Sequence, residues 1–229
     1  MAVIGDVHGR ADLLARLLRL LPADMPVLTV GDMCDRGPDS RGVIELLVQR
    51  GERTGGAFGI RGNHEEWLIQ LATGGGFETA ALSPAMGGRE TLASYGFEGV
   101  APAAIEAQVW RIPGSHAAFL ASLPVALDLT VCGDKYWLVH AGVSATTSAP
   151  VRSLAEVVPW LAQNRAANLL WPHTEPEDTL PLDRTVIMGH LPRRRPLDAG
   201  HVIAIDTGCG RYHDGHLTAV ILPSRRFLS

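Results

Sequence analysis

Eight polar residues stand where short apolar runs stop. They are Asp6 and His8 after Ala2 to Ile4, Asp32 and Asp35 after Pro26 to Val30, Asn63 and His64 after Ala57 to Ile60, His140 after Tyr136 to Val139, and His190 after Val186 to Met188. Carboxylate, amide and imidazole groups without a thiolate suit Mn, Fe, Zn, Co or Ni better than a structural zinc. Asp6 and His8, two residues apart, point to one side of an extended segment and can grip a single ion. The whole set, two Asp, three His and one Asn beside Asp35 and His64, is large enough for two ions. Taken singly, His140 would be a structural histidine and Asp32 a turn residue or helix cap. It is their joint placement at successive strand ends that points to a dimetal centre.

The positioning elements follow from periodicity. Ala2 to Ile4, Pro26 to Val30 and Ala57 to Ile60 read as strands. Between them, Leu13, Leu14, Leu17, Leu18 and Leu21 form one helical stripe with Arg16 and Arg19 outside it, and Val43, Ile44, Leu47 and Val48 form another, capped by Asp39 or Ser40 and ending at Gly51. Such a β-α-β-α-β order predicts parallel strands joined by crossover helices, whose carboxyl ends share one edge where ligands bind. Residues 74 to 124 read as a helical insertion, with patterns around Ile105 to Trp110 and His116 to Leu123. Further strands are expected at Tyr136 to Val139, Val186 to Met188, Val202 to Ile205 and Leu217 to Leu222, within one catalytic domain spanning residues 1 to 229.

Composition narrows the partners. The 229 residues are 46% apolar and 19% charged, enough to bury a core and too apolar for a disordered chain. Twenty Lys and Arg against 24 Asp and Glu give a formal charge of −4, which argues against binding a nucleic-acid polymer. Cys34, Cys132 and Cys209 form no CxxC pair and no disulfide framework, as suits a reducing compartment. The start of the chain runs straight into Asp6 and His8, unlike a signal peptide, and no apolar stretch reaches the roughly 20 residues of a membrane span. A cytoplasmic location and no membrane partner are expected.

Gly5-Asp6-Val7-His8-Gly9, Gly31-Asp32-Met33-Cys34-Asp35-Arg36-Gly37 and Gly62-Asn63-His64-Glu65 resemble, in order and spacing, the signature blocks of the phosphoprotein phosphatase family of calcineurin-like metallophosphoesterases. His140-Ala141-Gly142, Gly189-His190 and Ile205-Asp206-Thr207-Gly208 resemble its later blocks, so the likeness runs from Gly5 to about Leu222. It is nearest the short bacterial and phage type, similar to bacteriophage lambda protein phosphatase, with symmetrical dinucleoside tetraphosphatases as neighbours. The resemblance implies an α/β fold, a four-layer metallophosphoesterase sandwich of two central β-sheets flanked by helices. It also implies two divalent ions, manganese foremost, one on Asp6, His8 and Asp32 and the other on Asp32, Asn63, His140 and His190. A hydroxide between the ions would attack in line. Arg36 would clamp the phosphoryl oxygens, Asn63 would also face the substrate, and His64, backed by Asp35, would protonate the leaving group. The implied activity is phosphomonoester hydrolysis, on phosphoserine, phosphothreonine and also phosphotyrosine of proteins or on a small phosphoester. Hydrolysis of dinucleoside polyphosphates or other nucleotide phosphoesters is the rival, and a catalytically silent phosphoprotein-binding scaffold a remote third.

The sequence departs from that pattern after Leu169-Leu170-Trp171, where an arginine for the phosphate is common and Pro172 and His173 stand instead. Arg152, Arg165 or Arg184 is expected to substitute, with Arg165 and Arg184 entered as substrate-binding candidates. Leu191-Pro192 replaces a common Thr-Pro, and Met86 stands where Asn is expected. Cys34 reads as a small buried side chain, and His116, His173, His201, His213 and His216 as surface or structural histidines. Arg193-Arg194-Arg195 is either a solvated face or a greeting for an anionic substrate. Trp67, Leu68 and Leu71 read as helix packing.

Overall fold

A computed structural model of the protein describes residues 1 to 55, 59 to 143, 167 to 171 and 183 to 229. Strands β1 (Ala2–Ile4), β2 (Val27–Thr29), β8 (Ala219–Ile221) and β9 (Arg226–Leu228) form one sheet in the order β2-β1-β8-β9. Strands β3 (Ala126–Val131), β4 (Asp134–Val139), β5 (Thr185–Met188), β6 (Leu197–Asp198) and β7 (Val202–Ala204) form the other, in the order β3-β4-β5-β7-β6. Both sheets are mixed. β1 runs parallel to β2 with Val3 opposite Leu28, and antiparallel to β8 with Val3 opposite Val220. β4, β5 and β7 are parallel neighbours, while β3 and β6 are antiparallel edges.

The two-residue alternation of a strand sorts the core into layers. Val3, Leu28, Tyr136, Leu138, Ile187, Ile203 and Val220 meet in one cluster between the sheets. Their neighbours Ala2 and Ile4 turn outward onto the helices of the first half, and Trp137, Val139, Val186, Met188, Val202 and Ala204 turn outward on the other side. Two sheets packed face to face, with helices outside, make an α/β sandwich of the kind the resemblance implies.

The helices α1 (Ala11–Leu20), α2 (Ser40–Thr54), α3 (Glu65–Ala72), α4 (Gly88–Ser94), α5 (Pro102–Glu106), α6 (Gly114–Ser122) and α7 (Ala167–Leu170) carry the rest of the described secondary structure, apart from two short 3-10 turns. α1 buries Leu14 and Leu17 of the expected stripe. α2 is capped as expected by Asp39, whose Oδ1 accepts from Gly42 N at 2.7 Å, but it runs past Gly51 to a left-handed Gly55. The strand expected at 57 to 60 falls partly outside the described residues. Gly59 and Ile60 are not in a strand, although Ile60 N still donates to Thr29 O at 3.1 Å beside β2. Residues 74 to 124 are helical and pack into the main helical core through Tyr95, Ile105, Phe119 and Leu120. His116, wholly buried, bonds Tyr95 Oη at 2.8 Å and Glu45 Oε2 at 2.9 Å, a structural role. Among the described residues, no helix is long and apolar enough to cross a membrane.

Candidate metal centre

Both sheets deliver polar side chains at the carboxyl ends of parallel strands. Asp6 and His8 follow β1, and Asp32, Asp35 and Arg36 follow β2. Asn63 and His64 lead into α3, His140 follows β4, and His190 follows β5. Two hydrogen bonds lock the two edges together: His190 N donates to Asp6 Oδ2 at 3.0 Å, and His140 Nδ1 donates to Val30 O at 2.8 Å. Glycine is required at two points of closest approach. A Cβ on Gly62 would collide with Asp32 Oδ1 and His140 Cε1, and one on Gly189 with Asp6 Oδ1.

The backbone is bent hard to do this. His8, Asp32, Asp35, Arg36 and His190 all take φ between 45° and 72°, in the left-handed region. Each such residue costs on the order of 1 kcal/mol or more and persists only where surrounding contacts impose it. Glu65 supplies much of that imposition. Its buried carboxylate accepts from the amides of Asp32 (2.8 Å), Met33 (2.7 Å), Cys34 (3.1 Å) and Gly62 (2.7 Å), tying the loop after β2 to the loop before α3. Burial and the nearby Asp32 charge raise its pKa, and hydrogen bonds from Gly62 and Cys34 oppose them.

Asp32 stands between two flanks. On one, His8 Nδ1 donates to Cys34 O at 3.0 Å and presents Nε2 to Asp32 Oδ2 at 3.6 Å. His64 Nδ1 meets Asp35 Oδ2 at 2.8 Å, and the Arg36 guanidinium spans both imidazoles, 2.5 Å from His8 Nε2 and 3.0 Å from His64 Nε2. Asp35 is itself fixed, with Oδ2 accepting from Trp67 Nε1 at 3.0 Å and Oδ1 from Thr91 Oγ1 at 2.8 Å. On the other flank, His140 Nε2 lies 3.0 Å from Asn63 Oδ1 and 3.2 Å from Asp32 Oδ1, and His190 Nδ1 lies 3.0 Å from the same Asn63 oxygen.

The electrostatics follow from who faces whom. Burial pushes the Asp6 carboxyl well up, with Asp206 and Asp32 adding to the rise. Burial also pushes Asp206 up, to about 6. Burial opposes ionisation of Asp32 too, but His140, His64 and His8 around it hold its pKa well below the ordinary carboxylate range. Asp32 likewise overcomes burial at His140 and raises it to about 10, whereas burial keeps His8 neutral.

These donors fit divalent metal ions. Asp32 Oδ1, Asn63 Oδ1, His140 Nε2 and His190 Nδ1 bring four potential lone-pair donors together, and Asp6 Oδ1 is buried without a hydrogen-bond partner among the described residues. Ligand atoms of Asp32, His140 and His190 lie within 4.8 Å of one another, as do those of His8, Asp32 and His64. A cation between such groups satisfies them all at once, and an unpaired buried oxygen is otherwise costly.

The structure thus brings together Asp6, His8, Asp32, Asp35, Arg36, Asn63, His64, His140 and His190. Arg165, Arg152 and His173 lie outside the described residues. Arg184, expected to bind substrate, is placed away from these residues. It stands just before β5, at the end opposite His190, bonded to Asp128 and, at 2.8 Å, to Asp183, with its guanidinium 4.9 Å from the Trp137 ring centroid. Cys34 is buried and donates to His64 O at 3.3 Å. Arg194 pairs with Asp214 at 3.2 Å in solvent. Sequence reasoning assigned no role to Glu65, took Trp67 for packing alone, and passed over Arg211. A cavity of about 250 Å³ over the centre is lined by Asp32, Arg36, Asn63, His64, His190 and Arg211, among others.

The two-sheet sandwich thus converges carboxylates, imidazoles and an amide on one buried aspartate, a donor set for divalent ions. The model of the calcineurin-like phosphoesterase family matches residues 1 to 227, and the chain belongs to that family. It is 41% identical over 71 residues to the symmetrical bis(5'-nucleosyl)-tetraphosphatase of Ralstonia nicotianae, covering 31% of this chain and 25% of that one. It is 39% identical over 70 residues to serine/threonine-protein phosphatase 1 of Salmonella typhimurium, covering 29% and 30%. These matches span about a quarter to a third of the relatives' length. The bis(5'-nucleosyl)-tetraphosphatase PrpE [asymmetrical] of Halalkalibacterium halodurans is 26% identical over 251 residues, covering 99% of this chain and 92% of that one. A cold-active protein-tyrosine phosphatase from a Shewanella shares the fold with a TM-score of 0.63 at 17% identity, over 96% of this chain and 75% of that one. Divalent metal ions are integral to the family's chemistry.

Proposed function

We propose that the protein hydrolyses dinucleoside polyphosphates with two divalent ions, manganese foremost, held by Asp6, His8 and Asp32 and by Asp32, Asn63, His140 and His190. Ions so placed supply Lewis-acid charge to the phosphoryl oxygens and acidify a water. Arg36 binds the phosphoryl oxygens through its planar fork. His64 Nε2, which accepts from Arg36 Nη2 at 3.0 Å, would carry the proton for the leaving oxygen once Arg36 engages the phosphoryl group, and Asp35 at 2.8 Å from Nδ1, held by Trp67 and Thr91, orients the ring. Met86, Leu191 and Pro192 line the same cavity. The observation that carries the choice of substrate is the likeness to PrpE along nearly all of both chains.

A second reading is hydrolysis of phosphoserine and phosphothreonine in proteins, in the manner of the short phage and bacterial enzymes. The built relay behind His64 favours it, because an alkoxide leaves poorly without a proton and a nucleotide phosphate leaves well. The protein, freed of metal by chelation and reconstituted with single divalent ions, separates the readings on diadenosine tetraphosphate, a phosphopeptide and an aryl phosphate. Activity absent after chelation, best restored by Mn(II) and greatest on the tetraphosphate is the expected result. Preference for the phosphopeptide selects the second reading, and no turnover with any ion sinks both.

A further inference from the structure

A second cavity, of about 680 Å³, adjoins the one over the metal centre and shares Arg36, Ala85 and Arg211 with it, while Arg89, Ser83 and Glu90 complete its polar lining. Its size falls within the roughly 300 to 1,000 Å³ of small-molecule sites. Three guanidinium groups against one carboxylate make it electropositive in a chain whose formal charge is −4. Some arginines elsewhere are paired with carboxylates, as Arg10 is with Asp12 at 2.7 Å, Arg111 with Glu98 at 3.5 Å and Arg225 with Asp198 at 3.2 Å. Among the described residues, Arg36, Arg89 and Arg211 have no carboxylate partner. Arg89 donates only to the Leu82 carbonyl, at 3.2 Å, and the exposed Arg211 side chain donates to nothing.

The walls of this groove are tied to the centre. Arg36 N donates to Gly87 O at 3.1 Å, which anchors the 83 to 90 side to the loop carrying Asp32 and Asp35. Arg211 N donates to Gly208 O at 3.1 Å in a turn whose Gly208 N is held by Asp206 Oδ1 at 2.8 Å. Unpaired cations thus start at the phosphoryl-binding Arg36 and lead away from the metal ligands. That is a track for a ligand with negative charge beyond its reacting phosphoryl group.

We propose that the groove formed by Arg36, Arg89 and Arg211 is a subsite for the phosphates of a polyphosphate chain that lie beyond the phosphoryl group being cleaved. It rests on the dinucleoside polyphosphate reading and names the residues that would give the same metal centre a preference for chains over single phosphates. Arg211 thereby supplies, from the turn after β7, cationic contact with substrate that the segment after Trp171 lacks in its first two residues.

The test uses Arg89→Gln, Arg211→Gln and the double variant, all at exposed positions. In metal-loaded enzyme the double variant is expected to raise KM for diadenosine tetraphosphate by about tenfold or more, as lost charge-assisted contacts do, and to lose more on it than on an aryl phosphate, while Arg89→Gln, which does not line the cavity over the centre, is expected to change kcat/KM for the aryl phosphate less than twofold. In metal-free wild type, calorimetric titration is expected to show inorganic tripolyphosphate binding at least tenfold tighter than orthophosphate, and the double variant to lose that margin. Equal losses on both kinetic substrates would overturn the proposal by placing Arg211 on the reacting phosphoryl group. An unchanged double variant, or a loss confined to acidic phosphopeptides, would overturn it as well. If wild type ignores the tetraphosphate but keeps the tripolyphosphate margin, the functional reading fails and the subsite stands. If the tetraphosphate is cleaved and the margin is absent, the subsite fails alone.

Discussion

The two flanks of Asp32 are built from the same residue types and left in opposite conditions. The His8 and His64 flank carries a guanidinium, and its carboxylate Asp35 accepts from Trp67, Thr91 and His64. Among the described residues, no arginine or lysine bonds the His140 and His190 pair as Arg36 bonds the other two histidines, and Asp32 raises His140 against burial to about 10. Beside it lie Asp6 and Asp206, two carboxyls pushed toward neutrality. One flank is organised before any ion arrives, and the other is left short of positive charge. The first carries the proposed phosphoryl-binding and proton-donating groups beside His8, and the second presents donors that a cation would balance.

Asp32→Asn tests what the flanks share. It removes the one carboxylate common to both proposed ligand sets and is expected to lower kcat by about three decades or more, with metal content falling in elemental analysis. Retained metal with full activity would dissolve the comparison. His64→Asn acts on one flank alone. Turnover of substrates with poor leaving groups should fall by about 10²- to 10⁴-fold, metal content should stay intact, and an aryl phosphate with an acidic phenol should suffer less. Equal losses on both would remove His64 as the proton donor.

The smallest effect concerns stability on the metal-capturing side. Asp206 titrates near 6 when folded against an ordinary 3.8. A raised carboxyl pKa gives stability that is complete below about pH 4 and lost as pH rises through 6. Asp206→Asn, which never ionises and can still accept from Gly208 N, should therefore stabilise metal-free protein by about 2 to 3 kcal/mol at pH 7.5 and by nothing near pH 4. Denaturant titrations in chelator at the two pH values read it. Equal effects at both would mean that the charge is not the cause.

The ligand blocks were legible because each sits where an apolar run breaks, a pattern that survives any detail of packing. The antiparallel partners of β1 and β4 were not. A short buried strand reads the same in either direction, so the strand expected at Leu217 to Leu222 carried no sign that Ala219–Ile221 would pair antiparallel to β1. β3 was missed although Leu-Asp-Leu-Thr-Val alternates, and the Cys132-Gly133 turn after it, with both residues at positive φ, marks a hairpin. Gly51 looked like a helix end but lies buried within α2, where tertiary packing outweighs glycine's low propensity. Glu65 and Arg211 escaped for different reasons. A carboxylate that accepts four amides resembles in sequence any acidic residue in a first helical turn, and an exposed arginine gains meaning only from the cavity it borders.

The place of β1 in its sheet has a consequence for the order of events during synthesis. Ala2–Ile4 pairs on one side with Val27–Thr29, made soon after it, and on the other with Ala219–Ile221, made more than 200 residues later. Asp6 at its end is fixed by the amide of His190, also a late arrival. Contacts so distant in sequence close slowly, and they cannot close before the later partner leaves the ribosome. While the chain is nascent, Asp6 and His8 are unassembled, and ions in the surrounding solution meet scattered side chains in place of a centre. Loading of the proposed centre with metal would therefore be a late act, timed by the emergence of the second sheet and the strand that follows it.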